Sequence, residues 1–275
     1  MTRQKTIYLD WNLYSILKSP TFDSHLILSE FLNENRDKIR LVYSPAHLDD
    51  LKQTSSDNLD KLSRDLEYIS KMTQHTCIVN YWGSSDIIID KREAIEFFEQ
   101  NKEDNSGASM QAVALMIKKM GNQYGDLRDR VIREHFKTDP SQICNFNKKQ
   151  LDELIRIIGI SESLDDFLKF GLQLRTSPTD ILGYIDLYYT AYTSLDIIGY
   201  YLDKFTEKGG FENLMNDAKH SAYGSVCDCF ITNDNKCYHK SRFLFDYYNC
   251  KSKLVRTCRV SDNNILKKEL NEILQ

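Results

Sequence analysis

Four aspartates are the residues in this chain whose positions favour catalytic chemistry. Asp10 ends the apolar run TIYLD, and Asp234 follows the apolar run CFIT. Asp50 lies shortly after a second apolar run, IRLVYS, and Asp217 lies 17 residues before Asp234. Because ligands of open α/β sheets bind beyond the carboxyl ends of the strands, we expect these four side chains to converge at one sheet edge.

Carboxylates that converge without a partner repel each other, and a divalent cation removes that conflict. An oxygen-only ligand set favours Mg²⁺ or Mn²⁺ over zinc. One such ion, or two about 3.5–4 Å apart, can hold the attacking and leaving oxygens of a phosphoryl transfer. The pattern therefore predicts that Asp10, Asp50, Asp217 and Asp234 are both metal ligands and catalytic residues.

The elements that must position these acids can be read from the apolar periodicity. Short apolar, β-branched runs predict strands at 6–11, 39–44, 76–82, 229–232 and 253–258. Helical spacing predicts helices around 13–18, 25–38, from Pro45 onward, from the start signature at 177–180 to about 205, from 211 to about 226, and after Ser261. The fold class predicted is α/β, with residues 1–85 and 206–275 forming one domain and residues 86–205 a helical insertion.

Three segments of the chain resemble the PIN-domain family. IYLDWN matches that family's apolar strand, aspartate and asparagine, and YSPAHLDDL matches a strand-end serine followed six residues later by an acid and then leucine. NDAKHSAYGSVCDCFITND matches an aspartate followed 17 residues later by the last residue of a Thr-x-Asp motif. Lys240 falls where many such proteins have a lysine. The resemblance covers roughly the first 80 and the last 90 residues.

The resemblance implies a Rossmann-like α/β/α fold with a central, mostly parallel sheet, and a Mg²⁺- or Mn²⁺-dependent ribonuclease. It implies supporting roles for Asn12 and Thr232 beside the acids. The role of a bacterial toxin or an anti-phage defence effector is a further expectation from the family. Three features depart from the family pattern. The second acid is Asp rather than Glu, with Asp49 as the alternative to Asp50, and the helical insertion is much longer than in minimal family members. An extra acid, Asp228, lies just before the final strand and is predicted either to support the acids or to be a solvated turn residue.

A basic segment follows Asp234, and it suits a nucleic-acid partner, single-stranded or structured RNA. The segment contains one acid and seven cations, at positions 236, 240, 242, 251, 253, 256 and 259. Five aromatic residues are interleaved with the cations. Lys236, Lys240 and Arg242 are predicted to bind substrate phosphates, and the aromatic rings could stack on unpaired bases. A solvated basic face with core aromatics is the alternative. The insertion is interpreted as shaping substrate access or as binding a partner, either a second copy or another protein.

The overall composition sets limits on these predictions. The 275 residues carry a net charge of −4, which is unusual for a binder driven by charge alone. Seven scattered cysteines do not form a disulfide framework of a secreted protein, and no signal peptide or membrane span is predicted. A reducing cytoplasm is the expected setting. For the late cysteines at 227, 229, 237, 250 and 258, ordinary packing is favoured over a zinc site because paired Cys-x-x-Cys motifs are missing.

Three other functions stay open at this point. Arg128 or Arg130 with His135 resembles the Arg and His pair of metal-independent HEPN ribonucleases. An inactive PIN-like scaffold or binding module would keep the fold without binding metal. A haloacid-dehalogenase-type phosphatase is disfavoured because Asn12 stands where its second aspartate is needed. His47 and His220 are predicted to be hydrogen-bonded structural histidines rather than ligands of substrate.

Overall fold

The computed structural model describes residues 3–55, 58–80, 84, 86–100, 107–173, 183–202, 210–257 and 263–275. Its strands are β1 (Lys5–Leu9), β2 (Ile39–Val42), β3 (Thr76–Asn80), β4 (Ile87–Lys91), β5 (Cys229–Thr232) and β6 (Lys253–Arg256). Its α-helices are α1 (Trp11–Lys18), α2 (Asp23–Glu34), α3 (Pro45–Ser55), α4 (Leu59–Thr73), α5 (Ala94–Gln100), α6 (Gly107–Glu134), α7 (Lys148–Ile157), α8 (Leu164–Gln173), α9 (Tyr184–Ile197), α10 (Gly210–Ser225), α11 (Asn235–Tyr248) and α12 (Asn263–Asn271).

A parallel four-stranded sheet in the order β2-β1-β5-β6 confirms the α/β class predicted from the sequence. Ile7 pairs with Leu41 of β2 on one side and with Cys229 of β5 on the other, so the first strand lies between strands from both ends of the chain. Strands covered on both faces read as continuous apolar runs, which is why these short segments could be predicted. The order brings the ends of β1 and β5 side by side.

Alternation along the strands divides the sheet into two buried faces. Ile7, Leu9 and Ile231 belong to a core that also includes Leu28 of α2 and Leu66 of α4. Tyr8 and Phe230, one residue out of phase, contact each other on the opposite face, with ring centroids 5.8 Å apart. Both faces are therefore closed by helices, and the polar groups of the site are confined to the sheet's carboxyl edge.

The third predicted strand lies beside the main sheet rather than within it. β3 pairs antiparallel with β4, and a single parallel bridge between Tyr43 and Cys77 links it to the end of β2. Strand β4 was not predicted, because Asp90 interrupts its apolar run; four of its five residues are exposed. Residues 81 and 82 of the predicted strand lie outside the described residues.

The chain divides into two compact units, residues 1–103 with 219–275, and residues 104–218. The predicted boundaries were 85/86 and 205/206, so β4 and α5 belong to the first unit although they were assigned to the insertion. In the second unit α9 buries Tyr188 and Tyr192, in agreement with a packing stripe. Its predicted start at 177–180 lies outside the described residues. Within the described residues, no helix has the length and apolar character needed to cross a membrane.

Candidate active site

Asp10 and Asp234 lie on adjacent strand ends and are joined through one hydroxyl group. Thr232 Oγ1 donates to Asp10 Oδ2 at 2.8 Å, and the backbone N–H of Asp234 donates to Thr232 Oγ1 at 3.0 Å. The backbone of Asp10 is fixed by the sheet, since its N–H donates to the carbonyl of Ile231 at 2.9 Å. Two acids more than 220 residues apart in sequence are thus held in a defined relation at the carboxyl edge of the sheet.

Asp234 also begins the helix that follows the strand. Its Oδ1 accepts a hydrogen bond from the backbone N–H of Cys237 at 2.7 Å, which makes it the N-cap of α11. A carboxylate is stabilised at this position by the unpaired N–H groups of the first helical turn. The cap therefore orients Asp234 independently of any ligand.

The third acid of the site is held by a buried histidine. Asp50 Oδ2 lies 2.7 Å from Nε2 of His220, which is 1 % exposed. The other ring nitrogen, Nδ1, lies 2.8 Å from the hydroxyl oxygen of Tyr8. The bonds to Asp50 and Tyr8 use both ring nitrogens, so they fix the orientation of the imidazole and, through it, that of Asp50.

Asp49, the alternative second acid, has a different partner. Its Oδ2 accepts from Nζ of Lys219 at 2.7 Å, and its Oδ1 lies 3.9 Å from Nζ of Lys52. Two consecutive residues of α10 thus pair with two consecutive acids of α3. Lys219 binds Asp49, and the buried His220 binds Asp50. Of the two acids, Asp50 is the one whose charge acts on Asp10.

A buried polar chain continues from His220 beneath the acids. The Tyr8 hydroxyl lies 2.6 Å from Ser44 Oγ, and the Ser44 backbone N–H donates to Nδ1 of His47 at 3.0 Å. His47 Nε2 lies 2.8 Å from the carbonyl oxygen of Leu9 and must be the protonated nitrogen that donates to it. His47 is therefore neutral, and burial followed by the charge of His220 lowers its pKa well below the ordinary value. Both histidines are hydrogen-bonded within the core, as the sequence analysis expected.

The charges at this edge shift one another's pKa values. Burial raises the pKa of Asp10 above its ordinary value of 3.8, and the charges of Asp50 and Asp234 raise it further; His220 and the Thr232 hydrogen bond oppose the shift without cancelling it. For His220 burial lowers the pKa, but the hydrogen bond with Asp50 and the charges of Asp50, Asp10 and Asp49 outweigh burial, so the net direction is upward. The edge combines acids that disfavour each other's charged form with one histidine whose raised pKa favours its charged form.

The donor chemistry of this edge fits a hard divalent cation, although no set of ligands is assembled in advance. Asp10, Asp50 and Asp234 supply only carboxylate oxygens, and the raised pKa of Asp10 is the electrostatic conflict that a cation relieves. Among the described residues, no group of three or more His, Cys, Asp or Glu side chains is arranged to hold a metal ion. Each acid instead has an oxygen engaged by a protein donor.

The other predicted site residues lie in different places. Asp217, half-buried on α10, belongs to the second unit, whereas Asp10, Asp50 and Asp234 belong to the first, and its role as a fourth ligand stays a prediction. Asn12 is exposed on α1, and its side chain makes no hydrogen bond to the described residues; Thr232 takes the supporting role instead.

Asp228 was predicted as a supporting acid, and the structure contradicts this. It precedes β5 and accepts from the backbone N–H of Thr6 at 2.7 Å, with Arg3 at 3.8 Å. Asp228 therefore lies at the amino end of the strand whose carboxyl end leads to Asp234. It caps the start of β1 and does not belong to the acid cluster.

The basic segment is a helix and a strand rather than an exposed binding tail. Lys240 is fully buried on α11, which contradicts its predicted role in binding substrate phosphates. Arg242 is exposed and Lys236 half-buried, whereas Lys253 pairs with Glu272 at 2.6 Å. Residue 259 lies outside the described residues. Helix α11 was not predicted from the sequence, although its buried residues follow helical spacing: Cys237, Ser241, Leu244 and Phe245.

The described late cysteines and the HEPN-like residues have contacts of their own, and Cys258 lies outside the described residues. Cys227 and Cys229 are buried, and burial raises the pKa of both thiols, as expected for core packing. His135 in the second unit is half exposed, and its Nε2 is hydrogen-bonded to Glu153 Oε1 at 2.7 Å. Arg130 is exposed, whereas Arg128 contacts Asp129 at 2.6 Å.

No protein-family model, no curated protein and no solved structure matches the chain. The case for a function therefore depends on the residues and contacts at the carboxyl edge of the sheet.

Proposed function

We propose that the chain is a metal-dependent ribonuclease of the PIN-domain kind, with a Rossmann-like fold, that hydrolyses RNA phosphodiesters. The observation that supports this best is the bridge from Asp10 through the Thr232 hydroxyl to Asp234, with Asp50 close enough to raise the pKa of Asp10. Three acids from distant parts of the chain meet where open α/β sheets bind ligands. A cluster of this composition serves phosphoryl transfer better than acid–base chemistry on neutral substrates.

Asp10, Asp50 and Asp234, with Asp217 as a predicted fourth, would hold Mg²⁺ or Mn²⁺. Such a cation supplies positive charge where negative charge develops on the phosphoryl group. The oxygen of a water molecule forms a bond to phosphorus, the bond to the leaving oxygen breaks, and the leaving oxygen takes up a proton. RNA rather than DNA is proposed from the resemblance to the family.

The chain's own contribution is the prior orientation of the carboxylates. Thr232 holds Asp10, the first turn of α11 holds Asp234, and His220 holds Asp50. Donors fixed in this way reduce the reorganisation needed during the reaction, and loss of such supporting contacts commonly costs 10–100-fold in metal affinity or activity, in order of magnitude. Arg242 is the exposed cation of α11 available to the RNA backbone.

The test uses the purified chain with mixed single-stranded RNA and DNA, with and without Mn²⁺. We expect RNA cleavage that requires Mn²⁺ and is abolished by Asp10→Asn. Asp228→Asn is the matched control, because Asp228 lies at the opposite end of the strand and should leave cleavage intact. Cleavage by the Asp10→Asn variant at the rate of the unmodified chain would refute the assignment.

A second candidate function, an inactive PIN-like binding module, is favoured by one observation. Asp50 is paired with His220 and Asp234 caps a helix, so these charges are compensated without a cation. Calorimetric titration with Mn²⁺ separates the two: an enzyme should release heat that Asp10→Asn removes, and a module of this kind should release none. Cleavage that resists EDTA would instead favour the HEPN-like pair Arg130 and His135.

A further inference from the structure

Arg256 is the last residue of β6 and lies at the same sheet edge as the acids. In the parallel register of β5 and β6 its partner is Thr232, whose hydroxyl joins Asp10 to Asp234. Register partners project their side chains from the same face of a sheet, and neighbouring strands are about 4.8 Å apart. Arg256 is therefore a cation one strand away from the bridge between the two acids, although it was not among the residues predicted to bind phosphate.

Two contacts with α11 hold the guanidinium of Arg256 in place. Its Nη1 donates to Asn235 Oδ1, and Asn235 directly follows Asp234. The guanidinium carbon also lies over the ring of Tyr238, 5.0 Å from the ring centroid. Asn235 and Tyr238 are three residues apart on one face of α11, so a hydrogen bond and a cation–π contact fix the same group. A long side chain held in this way loses less conformational freedom when it binds a ligand.

The guanidinium of Arg256 keeps donors and charge available for an anion. Within the described residues it forms no ion pair, and its only hydrogen bond is the one to Asn235. The planar fork of a guanidinium has five N–H donors and matches the oxygens of a phosphate. Exposed Arg242, farther along α11, adds a second positive charge nearby. Burial, followed by the charges of Arg256 and Arg242, lowers the pKa of His239, as expected for a locally positive surface.

A strand bound at the acid cluster needs a cation beside that cluster. A nucleic-acid strand carries one negative charge per nucleotide, and a cation held by the acids compensates only the phosphate that is cleaved. The carboxylates repel the phosphates on either side of it. A guanidinium fixed one strand away offsets that repulsion and sets the direction in which the nucleic acid crosses the sheet edge. Phosphate contacts position a strand without reading its sequence, so this contact is independent of the bases.

We propose that Arg256 binds the backbone phosphate next to the scissile phosphate of the RNA. Arg256 is the substrate-binding residue, and Asn235 and Tyr238 are positioning residues that act through it. The inference rests on the proposed ribonuclease activity for the identity of the strand, but the contact itself is measured without cleavage.

The test is fluorescence anisotropy of a short, labelled single-stranded RNA titrated with the full chain in EDTA over a series of salt concentrations. Arg256→Gln should weaken binding about tenfold, the effect of losing a charged hydrogen bond. Each phosphate contact to a single strand contributes about 0.7 to the slope of log K against log salt, so the slope should become shallower by about that amount. Lys253→Gln is the matched control. It removes the same charge from the other end of β6, where Lys253 pairs with Glu272, and should change neither affinity nor slope.

A second variant tests the positioning of the guanidinium. Asn235→Ala, at an exposed position, releases the guanidinium without removing its charge. It should weaken RNA binding about two- to tenfold and leave the salt slope unchanged. In cleavage with Mn²⁺, Arg256→Gln should raise KM and leave kcat nearly unchanged, because the phosphate contact is the same in the ground state and the transition state.

The role of Arg256 is overturned if the chain binds no RNA, if a folded Arg256→Gln keeps the affinity and salt slope of the unmodified chain, or if Lys253→Gln has the same effects. If Arg256→Gln does not fold, unchanged affinity in Asn235→Ala overturns it. Failure of the proposed function is seen separately. RNA binding that depends on Arg256, without cleavage in Mn²⁺, supports the contact and removes the nuclease, whereas Mn²⁺-dependent cleavage that is insensitive to Arg256→Gln does the reverse.

Discussion

Replacing His220 by alanine is expected to destabilise the first unit by about 3 kcal/mol, whereas replacing its neighbour Lys219 should cost about 1 kcal/mol or less. Both residues approach an acid of α3 at the same distance, 2.7 Å. They differ in burial: the side chains of His220 and Asp50 are 1 % and 15 % exposed, and those of Lys219 and Asp49 are 22 % and 29 % exposed. Comparing the two variants therefore keeps the donor–acceptor distance constant and varies only how far each pair is removed from solvent.

The magnitude follows from what each substitution leaves behind. Breaking a buried pair by removing one partner costs about 3–5 kcal/mol because a charge remains buried without compensation. The lower end applies here, since Asp50 is partly accessible and Tyr8 keeps its contact with Ser44 after His220 is lost. For Lys219, solvent screens the charge that remains on Asp49, and surface pairs contribute little.

The assay is urea unfolding followed by tryptophan fluorescence in EDTA. Trp11 lies in the first unit and stacks on Tyr14 with ring centroids 6.5 Å apart, so its fluorescence reports the unfolding of that unit; Trp82 lies outside the described residues. A double-mutant cycle with Asp50→Asn isolates the pair energy, which should exceed about 0.5 kcal/mol. Equal losses for His220→Ala and Lys219→Ala, or a coupling energy near zero, would refute the reasoning that burial makes this pair structurally important.

Three further predictions follow from the same contacts. Asp10→Asn should raise the thermal stability of the metal-free chain at neutral pH while abolishing cleavage. A carboxyl group whose folded pKa is raised stabilises the fold below its unfolded pKa of 3.8 and loses that contribution as pH rises through the folded pKa. At neutral pH the charged Asp10 therefore opposes folding, and the neutral amide does not. The pKa of His220 is also raised in the folded state, so its contribution to the free energy of unfolding is complete below pH 6.5 and is lost as pH rises through the folded pKa. Urea unfolding across a pH series should therefore show a loss of stability above pH 6.5 that His220→Gln lacks. Thr232→Val should cost about 1–3 kcal/mol of unfolding free energy and reduce Mn²⁺ affinity in calorimetry, and Thr232→Ser should restore both, since it keeps the hydroxyl between Asp10 and Asp234.

Strands β1, β2 and β5 could be predicted because they are short, mostly apolar and largely buried. Strand β6 has only two apolar residues, of which Val255 is buried, and its type was also the expected one. That β1 lies directly beside β5 cannot be deduced from local periodicity. What was predicted is that the aspartates following these strands converge at one sheet edge, and the pairing of β1 with β5 is how the structure brings two of them together.

The segment after Asp234 was interpreted from its charge, and its periodicity was overlooked. Buried positions at 237, 241, 244 and 245 recur at helical spacing, and an N-cap aspartate precedes them, so a helix could have been predicted. The burial of Lys240 could not, because no sequence rule separates a lysine that enters the core from one that extends into solvent. This is why the predicted phosphate-binding set includes a residue without solvent exposure.

The rotation of α3 about its axis determines which of its two adjacent acids, Asp49 or Asp50, faces Asp10. Adjacent helical residues point about 100° apart, so only one of the two acids can face Asp10. The flanking residues Leu48 and Leu51 are 2 % and 0 % exposed and belong to the main core, which fixes the rotation of α3 about its axis. Turning the helix to bring Asp49 inward would remove both leucines from that core, at about 1.5–3 kcal/mol for each side chain. The apolar residues on either side of the acids, rather than the acids themselves, therefore determine that Asp50 joins the cluster.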